Sequence, residues 1–329
     1  MIKLPTVFIL GAGASAPYGY PTGNELLEKV LELKDEPDFL EKFDEAFPPT
    51  SFGSPNSFGE FTTFIEELEK SGVSSIDQYT ASKDQYLDFC KFSISYLLIS
   101  NFIKNPNCLT EDYGNNVQPQ DWYRFLLNEC LLEDAENDPQ ILLGNCISFL
   151  TFNYDFSLEI FLWNAINARF DHKTAMDFFK KIRIIHLHGA LLNLTGNTNE
   201  LVSNIFTAEQ IKKRSQSIRF VHETPTKEIL DSSQTLINES NLTFFLGFGF
   251  HGKNMDKLDI DWAAKNKYLA SSYDFTDGQK RKIYNKMTAK MLKTNKMYLN
   301  ADHYLNFESG NCLNLIKNHA DLLSTFRRQ

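Results

Sequence analysis

Short apolar runs, each closed by a glycine or a polar residue, recur along the chain, and between them lie stretches in which apolar positions return every three or four residues. The runs are Val7 to Leu10 (VFIL), Ile147 to Phe152 (ISFLTF), Ile182 to Leu187 (IRIIHL), Leu242 to Leu246 (LTFFL) and Met297 to Leu299. Such runs are too short for helices and apolar at successive positions, which suits strands buried on both faces, as in a parallel sheet. The first helix is expected from about Asn24 to Leu33. No strand-like run then appears until about residue 146. Asp38 to Phe47, Glu60 to Lys70, Asp84 to Asn105 and Asp121 to Glu133 read as helices, separated by two long polar connections, Pro48 to Asn56 and Asn105 to Gln120.

Strands alternating with helices imply βαβ units. The expected fold is therefore α/β: a Rossmann-like, mostly parallel sheet with helices on both faces and a large helical insertion after the first βα unit. In this reading residues 1–329 form a single domain, with a core of about 1–33 and 146–329 and an insertion of about 34–145. The chain has 329 residues and 42% hydrophobic content, enough for a substantial core.

Charge narrows the partners. Lys plus Arg number 33 against 42 Asp plus Glu, a net charge of -9, so no direct nucleic-acid binding along a phosphate backbone is expected. The five cysteines (Cys90, Cys108, Cys130, Cys146 and Cys312) form no CxxC pair, so neither a structural zinc site nor a redox motif is written there and the thiols read as free; no bound metal is expected. Met1-Ile2-Lys3 leads directly into the first strand without a secretory leader, and the expected location is cytoplasmic. The most apolar helix, Tyr86 to Ile103, is interrupted by Asp88 and Lys91 and falls short of the roughly 20 apolar residues of a membrane span. It reads as a core helix, with no membrane association.

Candidate chemistry sits where strands end, since open α/β sheets bind ligands beyond the carboxyl ends of their strands. The first strand runs into Gly11-Ala12-Gly13-Ala14-Ser15-Ala16, a GxGxxA pattern that lets backbone amides approach a diphosphate, or that simply permits a tight turn. Pro17 and the stretch from Tyr18 through Pro21-Thr22-Gly23 delay the helix, so an extra loop wraps the site. Thr22 and Asn24 serve equally as helix caps or as contacts to a ribose or nicotinamide. The second strand ends in Asn153-Tyr154-Asp155, residues that commonly form turns and caps. The third ends in His186-Leu187-His188-Gly189. Strand alternation would send both imidazoles to one face, where one of them suits acid or base work. The fourth ends in Gly247-Phe248-Gly249-Phe250-His251-Gly252, a second glycine-rich loop suited to the adenosine half of a dinucleotide.

Taken in order, Gly11-Ala12-Gly13-Ala14-Ser15, Pro21-Thr22-Gly23, Thr151-Phe152-Asn153-Tyr154-Asp155, Leu187-His188-Gly189 and Gly247-Phe248-Gly249 resemble the sirtuin-like domain of bacterial anti-phage defence proteins. Ser75-Ile76-Asp77 and Asp121-Trp122-Tyr123 in the insertion are also similar to that group. The resemblance spans Val7 to about Phe250. It implies that the Gly11 loop (Gly11, Ala12, Gly13, Ser15) with Pro21, Thr22 and Gly23 holds the dinucleotide, that Gly247, Phe248 and Gly249 hold its adenosine side, that Asn153 and His188 are the catalytic pair, and that Asp155 orders the site around the ribose. It further implies an NAD glycohydrolase, with NAD as substrate, acting as a regulated NAD-depleting effector in abortive infection, either as a homo-oligomer or with a companion activating protein. Protein-deacylating sirtuins carry a four-cysteine zinc module and Asp-Phe-Arg after the proline matching Pro21; here Thr22-Gly23-Asn24 stands there instead. Two alternatives remain open: a sirtuin-type deacylase or ADP-ribosyltransferase, and a catalytically silent NAD-binding or ADP-ribose-binding module. Asn193 to Asn204, shortly after His188, is a candidate lid or a plain surface loop.

Overall fold

The computed structural model describes residues 1–48, 57–110, 120–132, 138–192, 206–262, 266–293 and 304–323. Among the described residues six strands make one parallel sheet: β1 Thr6–Leu10, β2 Ile147–Thr151, β3 Arg183–His186, β4 Leu242–Leu246, β5 Lys267–Ser271 and β6 Leu305–Glu308. Their spatial order is β3-β2-β1-β4-β5-β6. The α/β, Rossmann-like architecture expected from the hydrophobic pattern is thus present. Four of the five anticipated runs are strands, and Met297 to Leu299 lies outside the described residues, as does the candidate lid Asn193 to Asn204.

Side-chain alternation divides the core into two layers. Phe8, Leu10, Phe149, Leu242, Phe244, Leu246 and Leu269 face one side, and Val7, Ile9, Leu150, Phe245, Tyr268 and Ala270 face the other. Phe8 stacks on Phe149 of β2 and Phe244 of β4, with ring centroids 5.4 and 5.2 Å away, a ladder that stitches the three central strands.

The first layer is covered by α1 Gly23–Glu32, α2 Pro37–Ala46, α3 Ser57–Lys70, α4 Ile76–Thr80, α5 Leu87–Lys104, α6 Trp122–Phe125, α7 Pro139–Leu143, α8 Ser157–Arg169, α9 His172–Lys181 and α10 Ala208–Ser215. The insertion therefore packs into the same core as the sheet. Within it Phe39, Phe43, Phe61, Phe89 and Phe92 form an aromatic box, with ring centroids 4.7 Å apart for Phe43 and Phe61 and 5.9 Å apart for Phe39 and Phe92. Helix α5 is the apolar core helix foreseen; its buried face includes Phe92, Ile94, Leu98, Ile99 and Phe102. Among the described residues no helix is long and apolar enough to cross a membrane. The second layer is covered by α11 Lys227–Glu239, α12 Gly252–Leu258 and α13 Asp277–Lys293, through Leu236, Ile237, Leu258, Met287 and Met291.

This topology fixes where a ligand fits. From β1 the chain builds outward through β2 to β3 beneath the first helical layer, then crosses to β4 on the other side of β1 and continues on the second layer. The connections diverge between β1 and β4, leaving their carboxyl ends uncovered by a crossover helix. Gly11 and Gly247 stand at that divide.

Candidate active site

The two glycine-rich loops are pressed against each other. A Cβ on Gly11 would lie 2.5 Å from the Gly247 carbonyl oxygen, and one on Gly247 would lie 2.1 Å from the Ala14 nitrogen. Gly247 also has φ +56°, a left-handed conformation that glycine adopts without strain. The Gly11 N–H donates to Leu246 O (3.0 Å) and the Gly13 N–H to Gly247 O (3.1 Å). The bareness of the fingerprint is thus demanded by contact between loops, and the amides of Gly11 and Gly13 are already engaged. These two amides are therefore not available to approach a diphosphate as the fingerprint alone suggests.

Beyond Gly11 the chain makes two 3-10 turns, Ala12–Ala14 and Ala16–Tyr18, the second closed by Gly19 at φ +84° before α1 begins at Gly23. The Asp121-Trp122-Tyr123 segment of the insertion braces these turns. Trp122 Nε1 donates to Ala14 O (2.8 Å), the Tyr18 hydroxyl donates to Asp121 Oδ1 (3.1 Å), and the Tyr18 and Tyr123 rings stack at 3.8 Å. Thr22 caps α1: its N–H and hydroxyl both donate to Glu25 Oε2, at 2.7 and 2.8 Å, and these bonds hold the Glu25 carboxyl below its ordinary range. Gly23 is exposed with open space around its α-carbon, and Pro21 is half-buried.

Asn153 and Asp155 join the Gly11 loop through a buried chain of polar groups. Asn153 Nδ2 donates to Gly11 O (3.1 Å) and to Ser15 Oγ (3.0 Å); Ser15 Oγ donates to Asp155 Oδ1 (3.2 Å). Asp155 Oδ1 also accepts from the Ser157 N–H (3.1 Å) and the Ser157 hydroxyl. The Ser157 hydroxyl proton is thereby used, so Tyr123, 2.6 Å away, donates to it. Burial raises the Asp155 pKa, and the Ser157 and Ser15 bonds oppose that rise. With both amide hydrogens of Asn153 committed, its Oδ1 has no hydrogen-bond partner among the described residues and is the group left for a ligand.

The two histidines part company. Strand β3 ends at His186, and a turn follows in which Gly189 takes φ +77°, so the alternation that would have put both rings on one face no longer applies. His186 Nε2 meets Glu159 Oε1 of α8 (2.6 Å), and its Nδ1 meets Asn153 O (3.1 Å). Burial depresses the His186 pKa, but the Glu159 carboxylate and the Asn153 carbonyl outweigh that and the net shift is upward. His188 instead packs edge-on against Phe152, with centroids 5.2 Å apart, and its Nε2 lies 3.1 Å from Lys257 Nζ of α12. Burial, joined by the Lys257 charge, pulls the His188 pKa down to about 3.

Phe248 and Phe250 are buried, Phe248 beside Phe152 (5.1 Å), so the exposed parts of this loop are the backbone at Gly249 and the His251 side chain next to it. Lys257, which sequence reasoning missed, also donates to Glu223 O (3.1 Å). Glu223 in turn pairs with Lys91 of α5 (2.9 Å), and Asp77 of α4 accepts from the Val221 N–H (2.8 Å), so the insertion reaches the neighbourhood of His188. The spacing of Lys253 and Lys257, four residues apart just after the glycine-rich loop, was the clue to a basic helix face there. Among the described residues no group of three His, Cys, Asp or Glu is arranged to hold a metal.

No protein-family model matches the chain, and a search of curated proteins finds no significant match.

Proposed function

We propose that this protein is an NAD glycohydrolase, cleaving NAD to nicotinamide and ADP-ribose. The observation that carries the reading is the junction at the sheet's divide: the Gly11 and Gly247 loops interlock at the ends of β1 and β4, and Asn153 from β2 is bonded directly to the Gly11 loop with one carboxamide oxygen to spare. The resemblance to sirtuin-like defence domains supplies the reaction, and the strand-end geometry is compatible with it.

Nicotinamide leaves as a neutral molecule because the pyridinium already carries the positive charge, so no acid has to protonate the leaving group. The residues must orient the ribose, stabilise developing cationic character and position water. In this reading Asn153 Oδ1 accepts from a ribose hydroxyl or the attacking water. Asp155 acts one step back, fixing Ser15 and through it the Asn153 carboxamide. His188 accepts a proton through Nε2, the atom that Lys257 covers in this structure. A regulated, NAD-depleting role in anti-phage defence follows from the same reading.

Purified protein incubated with NAD is expected to release nicotinamide and free ADP-ribose, identified by mass. Asn153→Ala and His188→Ala are each expected to lower the rate about 100-fold or more. O-acyl-ADP-ribose, or label transferred to protein, would point instead to a deacylase or transferase.

A further inference from the structure

Lys257 stands between two environments. On one side its ammonium lies 3.1 Å from His188 Nε2 and 3.1 Å from Glu223 O. On the other it lines a cavity of about 390 Å³ that also presents His222, Thr224, Gln234 and Lys253. His222 Nδ1 is buried without a hydrogen-bond partner, an atom awaiting one. Two carboxylates that line this cavity are already matched: Glu223 pairs with Lys91 and accepts from the Phe220 N–H, and Asp259 pairs with Lys290. Asp256 is exposed at the rim. Of these lining residues Lys253, Lys257 and Asp256 make no ion pair among the described residues, and the Lys257 charge is favoured by Asp77 and Glu223.

The contact with His188 holds the ammonium only while the imidazole stays neutral. An imidazole accepting through Nε2 is neutral, and protonating it beside Lys257 would set two cations 3.1 Å apart in a buried site. Burial lowers the Lys257 pKa, while Asp77 and Glu223 favour its charged form and Lys253 opposes it. Other charged or titratable groups nearby are His222 and His251, both facing Asp77. A strong anion in the cavity would offer this ammonium a better partner than a neutral imidazole.

We propose that Lys257 is a movable positioning residue: it covers His188 Nε2 in this structure and transfers to a phosphate-class anion entering the cavity lined by His222, Lys253 and Gln234, which frees the imidazole. The use made of the freed imidazole rests on the glycohydrolase reading; the transfer itself does not. The anion has two possible sources, the diphosphate of the dinucleotide or a separate phosphate-bearing effector.

The test follows the histidine ring resonances by NMR, with His188 assigned through His188→Gln, while inorganic pyrophosphate is added. The His188 signal is expected to shift on pyrophosphate addition in the parent and in Lys257→Arg, and to stay fixed in Lys257→Met, whose folding is checked by its thermal transition. If Lys257→Met does not fold, Lys257→Gln replaces it. A parent His188 signal indifferent to pyrophosphate, or an equal shift in the methionine variant, overturns the proposal. Calorimetric binding of ADP-ribose with and without saturating pyrophosphate then separates the sources, competition identifying the dinucleotide's own diphosphate and unchanged binding a separate effector. Because these readouts need no turnover, failure to hydrolyse NAD would sink the functional reading while leaving this one to stand or fall on its own.

Discussion

His186 and His188 lie two residues apart and are pushed in opposite directions: burial lowers both, the Glu159 carboxylate and the Asn153 carbonyl outweigh it at His186, and the Lys257 ammonium adds to it at His188. The pH dependence of stability separates them. His188 titrates near 6.5 when unfolded and about 3 when folded, so the unfolded chain takes up its proton first. Its contribution is complete above about pH 6.5 and is lost progressively as pH falls toward 3, amounting to about 2 kcal/mol by pH 5. His186 carries the opposite sign: its raised pKa stabilises the fold below the unfolded value, and that contribution fades as pH rises through the folded one. Urea unfolding at pH 7 and pH 5 should therefore show the parent losing about 2 kcal/mol more than His188→Gln. Equal losses would mean that the imidazole is not held neutral. Asp155 gives a second reading. A carboxyl whose pKa is raised by burial costs stability as pH rises above its unfolded value, so Asp155→Asn should gain stability relative to the parent at neutral pH and lose that advantage in acid.

Loops and strand ends are where the sequence was most informative and also where its reasons were incomplete. Glycine at positions 11, 13 and 247 was legible as a demand for bare backbone. That the demand came from one loop touching the other was not, since nothing local in either segment names its partner across more than 200 residues. Gly247→Ala meets both a left-handed backbone and a 2.1 Å overlap with Ala14 N, and should cost about 2–4 kcal/mol in chemical denaturation. Gly23→Ala, in open space at the start of α1, should be neutral or stabilise by about 0.5–1 kcal/mol. If the two substitutions behave alike, loop contact is not what fixes these glycines. The histidine pair shows the limit of period-two reasoning: alternation holds along β3 and ends with it, one residue before Leu187. Strands β5 and β6 escaped notice because Lys267-Tyr268-Leu269-Ala270-Ser271 opens on a charge and closes on small residues, and the alternation of Leu305 and Phe307 with Asn306 and Glu308 is only four residues long.

At the scale of the whole molecule, strand order does the assembling. Parallel pairing of β1 with both β2 and β4 brings residues 11, 153 and 247 to one edge of the sheet, and the insertion supplies Trp122 and Tyr123 to stiffen the first loop and Asp77 to reach the Val221 segment. That candidate chemistry belongs at the carboxyl ends of the strands was readable from the apolar runs; the strand order that brings these ends together was not. The helical layer was readable too, but its bracing contacts were visible only as short motifs without a stated purpose. A site assembled from so many elements should tighten the fold when filled. ADP-ribose at 100 times its dissociation constant should add about 2.7 kcal/mol to unfolding, seen as a rise in melting temperature, and Asn153→Ala should blunt that rise. An unchanged transition at saturating ligand would mean that no such site forms.

The central claim is that Asn153 and His188 act together on one dinucleotide at the divide between β1 and β4. Mass-resolved analysis of NAD incubated with the parent, Asn153→Ala and His188→Ala tests it most directly. Nicotinamide and ADP-ribose should form with the parent and fall about 100-fold or more in each variant while the variants remain folded; parent-like hydrolysis in both variants would contradict it.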